Sequence, residues 1–307
     1  MSKPLVSQLL TGLRSKLGIT ELAARLTHLA SQLDSLDQHL DEISRTPRGP
    51  VYLGDHTALT VTTWGGLLLV DTRESVLAPA LLSHRQWEPA LTEWFLHNLR
   101  PGQTFVDVGA NIGYYSVLAA RQTGPSGHVV AVEAHPRMVE LLRRNLILNG
   151  FGTTTVRHAA AWSRSTSICF HQREHFGANS SVGSLGAAQL DVHGDAEEVI
   201  KVDTLVLDEL LDELPAIDIL KVDIEGSEVQ AIRGARRILA SNPDLIVIFE
   251  WSPGQIDMVG DEPSELLDLF EEQEMQFHHV ENAMAQISRT AMSELNHANV
   301  MARRRNL

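Results

Sequence analysis

The chain has 307 residues, 43% of them hydrophobic, enough to bury at least one sizeable core and to exclude disorder as a description of the whole. Its 25 Lys and Arg against 39 Asp and Glu leave a formal net charge of −14, which repels a phosphate backbone, so no nucleic-acid partner is expected. The lone cysteine, Cys169, allows no intrachain disulfide, and no segment approaches the ~18 apolar residues of a membrane span, so the expectation is a cytoplasmic protein with no membrane span.

Residues 1–45 carry no aromatic side chain, and Ile19, Leu22, Leu26, Leu29, Leu33, Leu36, Leu40 and Ile43 alternate three and four apart. These are the a and d positions of a heptad seam, which predicts an N-terminal coiled-coil helix at 1–45 and a homo-oligomer formed through residues 19–43. Pro47, Gly49 and Pro50 end that helix. A lead-in at 46–100 follows, with a hairpin (58–63, a Trp64-Gly65-Gly66 turn, 67–70) and a helix at 86–99. From residue 101 to 307 short apolar runs alternate with helical stretches. Strands are predicted at 104–108, 129–133, 155–158, 217–222, 245–250, 276–280 and 300–303, and helices at 112–122, 136–149, 226–240 and 262–273. Such alternation predicts a doubly wound parallel α/β sheet. Residues 163–200 break the rhythm and read as an insertion on the ligand-bearing edge.

The stretch from Phe105 to Gly113 runs from an apolar strand through a tight turn into a helix, and its small residues let backbone approach a ligand. Its spacing, Gly109-x-Asn111-x-Gly113, is not the G-x-G-x-x-G of dinucleotide sites, and no G-x-x-x-x-G-K-[ST] phosphate loop is present. Glu133 ends the next strand 24 residues after Gly109, where a carboxylate can accept both hydroxyls of a ribose. Together the two features favour a nucleoside ligand.

The runs Asp107-Val-Gly-Ala-Asn-Ile-Gly-Tyr-Tyr-Ser116, Glu133-Ala-His-Pro136, Asn145-Leu-Ile-Leu-Asn149, Lys221-Val-Asp-Ile-Glu-Gly-Ser-Glu228 and Arg233-Gly-Ala235 resemble, in order and spacing, the FkbM family of S-adenosylmethionine-dependent methyltransferases. The resemblance covers roughly residues 85–305 and implies a Rossmann-like class I methyltransferase sheet. It further implies that Asp107, Gly109, Asn111 and Gly113 form the loop under the methionine portion of the cofactor and that Glu133 holds the ribose. By the same resemblance Asp223 faces the methionine amino group or the acceptor, Trp87-Glu88 matches an aromatic-Glu pair before the first strand, and Ala161 and Trp162 lie near the adenine. Where the family often has an Asp after that point, Ser163-Arg164 stand here.

Methyl transfer to a hydroxyl needs alignment and a way to remove the acceptor's proton. Glu225 and Glu250, at predicted strand ends, and His175, in the insertion, are the candidate bases. A divalent ion held by Asp223 and Glu250 is the other route, and nothing in the spacing indicates it or selects between the two. The function expected is O-methylation of a small-molecule hydroxyl on a sugar, glycoside or polyketide-like compound. The alternatives are an N-methyltransferase and a non-catalytic assembly protein that binds S-adenosylmethionine.

Overall fold

The computed structural model describes Arg25 and residues 49–173, 197–214, 216–280 and 285–304. Arg25 apart, the predicted seam at 19–43 lies outside the described residues. From Pro50 the chain opens with an antiparallel meander, β1 (Val51–Gly54), β2 (Thr57–Val61) and β3 (Leu67–Asp71). β1 has no counterpart in the predicted hairpin: Val51, Tyr52 and Leu53 form a continuous apolar run that is exposed throughout, so no in-out alternation marks that strand. Two helices follow, α1 (Leu77–Ser83) and α2 (Pro89–Asn98). α1 is short and holds Pro79 in its first turn, where the missing N–H has no helical acceptor to lose, so its proline disguises it.

The main α/β unit then runs β4 (Thr104–Val108), α3 (Tyr114–Thr123), β5 (His128–Glu133), α4 (Pro136–Leu148) and β6 (Thr155–His158). Next come β7 (Ala160–Ala161), β8 (Ser167–Arg173) and β9 (Glu197–Leu205), a small separate sheet in the order β7-β9-β8. The chain returns through α5 (Leu207–Leu210), β10 (Ile219–Val222), α6 (Glu228–Arg233), α7 (Arg236–Ser241) and β11 (Ile246–Trp251). It finishes with α8 (Pro253–Val259), α9 (Pro263–Glu271), β12 (Met275–His279), β13 (Gln286–Ile287), α10 (Arg289–Glu294) and β14 (Ala298–Arg304).

The large sheet has the order β13-β12-β14-β11-β10-β4-β5-β6. Strands β11, β10, β4, β5 and β6 pair in parallel, as the alternating pattern predicts. The last strand differs: β14 inserts antiparallel between β11 and β12, because the chain leaving β12 turns back without a full crossover. Side chains alternate between two cores, Phe105, Ile219 and Ile248 packing on one face and Val106, Leu220 and Val247 on the other. The strand order reverses between β4 and β10, which opens a crevice at the strands' C-terminal ends.

The helix expected over 226–240 is two helices broken at Gly234. A Cβ there would lie 2.3 Å from the Trp162 carbonyl oxygen, so the close approach of the insertion's root to the helix requires both the glycine and the break.

Two asparagines fasten the lead-in to the sheet domain. Asn145 of α4 accepts from Leu69 N–H at 2.7 Å and donates to the Leu69 carbonyl at 3.1 Å and to the Ile112 carbonyl at 2.8 Å. One turn on, Asn149 accepts from Leu67 N–H at 2.9 Å and donates to its carbonyl at 2.7 Å. The free edge of β3 therefore pairs with side-chain amides that imitate a neighbouring strand. This fixes α1 and α2, and with them Val76, Leu77, Trp87 and Glu88, as one wall of the crevice.

Candidate functional site

The crevice encloses a cavity of about 390 Å³, inside the range of about 300–1,000 Å³ usual for small-molecule sites. Gly109 (φ +79°) and Asn111 (φ +52°) shape its floor, and the same turn ends at Gly113 (φ +87°). A Cβ on Gly109 would sit 1.8 Å from the Asp223 carbonyl oxygen, so only glycine lets the ends of β4 and β10 come this close. Asn111 tolerates the left-handed conformation and accepts from Ile112 N–H with its own side chain at 2.8 Å. A Cβ on Gly113 would meet Leu142 at 2.5 Å, so this glycine serves the packing of α3 on α4 and does not line the cavity.

Glu133, at the tip of β5, lines the cavity and accepts from Asn111 N–H and His135 N–H, each at 2.7 Å. Burial pushes its carboxyl above the ordinary range against the pull of those backbone donors. Ala159, Ala160, Ala161, Trp162 and Phe170 make an apolar wall, with Trp162 held by its N–H to the Leu205 carbonyl at 2.9 Å. Beyond it, Ser163 donates to Gln230 at 2.7 Å, and Arg164 stays outside the lining.

Asp107 is placed differently from the expectation. It is fully buried and absent from the cavity wall, accepting from Ser116 Oγ at 2.6 Å with Lys221 Nζ at 3.9 Å. It supports the loop from behind because Lys221 stands between it and the cavity. Lys221 donates to Asp223 at 2.9 Å and lies over the Tyr115 ring, 5.3 Å from its centroid. Burial opposes the charge on Lys221, but Asp223, Asp107 and Glu88 outweigh it and raise the ammonium above the ordinary lysine value. Glu88 accepts from Tyr115 OH at 2.8 Å and from Asn299 at 2.5 Å, from a backbone with φ +38°. Burial and the nearby Asp223 raise its carboxyl.

Asp223, Glu225 and Glu250 converge, each offering an oxygen within 4.8 Å of the others. Asp223 and Glu250 arrive from the ends of the neighbouring strands β10 and β11, and Glu225 from a turn with φ +54°. Gln255 donates to Glu225, and His297 Nδ1 lies 3.4 Å from Glu250. Burial, then the repulsion of Asp223, Glu225 and Glu228, pushes the Glu250 carboxyl up to about 11. His175 lies outside the described residues.

Of the polar lining residues, Tyr114, Tyr115, Lys221, Ser227, Gln255 and His297 have no site role in the sequence reading. Tyr114, Tyr115, Lys221 and Ser227 stand inside the runs that carry the family resemblance, and Lys221 is also a charge inside the buried strand Ile-Leu-Lys-Val. Among the described residues, no helix is long and apolar enough to cross a membrane.

The chain is similar to methyltransferase sdnD of Sordaria araneosa, 26% identical over 183 residues that cover 52% of this chain and 70% of that one. It is 47% identical over 51 residues to a protein-L-isoaspartate O-methyltransferase of Methanothrix thermoacetophila, and 39% over 51 residues to an arsenite methyltransferase of Halobacterium salinarum. Those matches cover 17% of this chain in each case, and only 24% and 13% of the relatives' own lengths. Among solved structures, the methyltransferase FkbM from Methylobacillus flagellatus aligns with a TM-score of 0.40 at 18% identity, over 69% of this chain and 50% of that one. Residues 107–279, from the floor of the crevice to the end of β12 and more than half of the chain, match the family described as Methyltransferase FkbM domain, and the protein belongs to that family.

Proposed function

We propose that the protein transfers a methyl group from S-adenosylmethionine to a hydroxyl of a small molecule, with sugars, glycosides and polyketide-like compounds as the acceptor class. Family membership supports the cofactor, and the residues present fit it. A carboxylate offers about four acceptor sites, and backbone N–H groups occupy one on each Glu133 oxygen, which leaves one on each for the ribose hydroxyls. The wall of Ala159, Ala160, Ala161, Trp162 and Phe170 suits a flat base. Gly109, Asn111, Glu88 and Asp223 surround the remaining, charged portion. S-adenosylmethionine supplies, when bound, an electrophilic methyl group on a sulfonium.

The observation that carries the hydroxyl reading is the convergence of Asp223, Glu225 and Glu250 in the same cavity. A hydroxyl is a poor nucleophile until its proton has somewhere to go. Glu225, fixed by Gln255, takes that proton. Calorimetry with the demethylated cofactor tests the first half: Glu133→Ala should weaken binding on the order of tenfold to a hundredfold, by loss of charged hydrogen bonds. Turnover on an acceptor panel tests the second: Glu225→Gln should lower kcat and leave cofactor affinity intact. Wild-type turnover in that variant would remove Glu225 from the mechanism.

Self-association through residues 19–43, and the division into 1–45, 46–100 and 101–307, are part of this proposal and are separable from its chemistry. Removing residues 1–45 should lower the oligomer number by light scattering while cofactor binding persists; an unchanged number sinks the seam reading.

A further inference from the structure

Three carboxylates that share a space of 4.8 Å in a partly buried crevice present a charge problem. Like charges this close do not all ionise without a compensating cation. Lys221 compensates in part, but it is committed to Asp223 at 2.9 Å and to Asp107 behind it. Two further atoms in the crevice lack partners. Glu250 is 8% exposed, and its Oε2 is buried without a hydrogen-bond partner. Ser227, 3% exposed and lining the same cavity two residues after Glu225, leaves its Oγ buried and unpartnered. Gln255 adds a third oxygen: its Nε2 is bonded to Glu225, which holds its own buried, unpartnered Oε1 one amide group away from the cluster. Buried oxygen acceptors with no donor are costly, and they are paired in native structures by protein, water or an ion.

We propose that Asp223, Glu225 and Glu250 bind a divalent cation of the magnesium or manganese type, with Ser227 and Gln255 as neighbouring neutral oxygens. The ligand chemistry fits: every donor is a hard oxygen, with no nitrogen or sulfur required, and magnesium and manganese take carboxylate oxygens with water completing the shell. The inference rests on the methyl-transfer reading for its purpose. There, the cation binds the acceptor hydroxyl and lowers its pKa. The O–H bond breaks with the proton passing to Glu225 on an oxygen not bound to the metal, and the oxygen's electron pair forms the O–CH₃ bond as the methyl–sulfur bond breaks, leaving a neutral thioether.

The test uses the full chain and two probes, manganese alone and the demethylated cofactor alone. Electron paramagnetic resonance should show one manganese bound per chain in the submillimolar range, displaced by magnesium. Glu250→Gln, which replaces one carboxylate oxygen of the cluster by an amide of the same shape, should weaken that binding on the order of tenfold to a hundredfold, at least the loss seen for an outer-shell partner. Asp223→Asn is the second variant, and thermal melting establishes that both are folded. No manganese binding, with normal calorimetric affinity for the demethylated cofactor, overturns the cation site and leaves the cofactor reading standing. Manganese binding unchanged in both folded variants overturns its assignment to this cluster. Manganese bound as expected but no affinity for the demethylated cofactor upholds the site and defeats the cofactor reading instead.

Discussion

Replacing Asn145 by alanine should destabilise the protein far more than the same change one turn on at Asn149. Asn145 is fully buried and makes three hydrogen bonds, at 2.7, 3.1 and 2.8 Å, to Leu69 twice and to Ile112 once. At a net value near 1 kcal/mol each these contribute about 3 kcal/mol, and backbone groups left buried and unpaired add roughly 1–2 more, for a loss of about 4–5 kcal/mol. Asn149 is half-buried and its Leu67 partner is only partly covered, so water replaces much of what is lost there, and the cost falls to about 1 kcal/mol. Urea unfolding of the two variants, with matching m-values, measures the difference directly. The Asn145 variant should also lose cofactor affinity, because the same amide holds Ile112 beside the glycine loop. A loss at Asn145 no larger than at Asn149 would refute the idea that side-chain amides serve as the missing neighbour of β3.

Lys221→Met should cost about 3–5 kcal/mol, because it leaves Asp107 buried without its cation; adding Asp107→Asn should recover most of that in chemical denaturation, and a double variant as unstable as the sum of the singles rules out the pairing. Glu228 is fully buried, and burial pushes its carboxyl from 4.5 up to about 7. The folded state therefore holds this proton more tightly than the unfolded one, so its contribution to stability is greatest below pH 4.5, declines as pH rises, and is gone above about 7. At ~1.4 kcal/mol per pH unit the decline is about 3 kcal/mol, and Glu228→Gln should flatten it in melts taken between pH 5 and 8; a wild-type slope in that variant assigns the decline to other groups.

The sequence by itself determined the features that are local. The turn at Gly109, Asn111 and Gly113 is legible because backbone with positive φ restricts residue choice on the spot. The parallel strands β4, β5, β10 and β11 are legible because burial on both faces demands mostly apolar runs, broken here only by Thr104, Asp107, His128 and Lys221, and the acidic tips at Glu133, Asp223 and Glu250 stand out against them. Tertiary structure decided everything that depends on which distant segments meet. That β14 would slot antiparallel beside β11, bringing Asn299 to Glu88 and His297 to Glu250, is set by sheet order and not by periodicity. The same holds for Asp107, which the family resemblance sets in the loop under the cofactor and which is instead enclosed by Ser116 and Lys221, and for Asn145 and Asn149, whose spacing marks one helix face without naming the strand edge it covers. Periodicity encodes which face of an element is buried; the crossovers and strand order decide what that face is buried against.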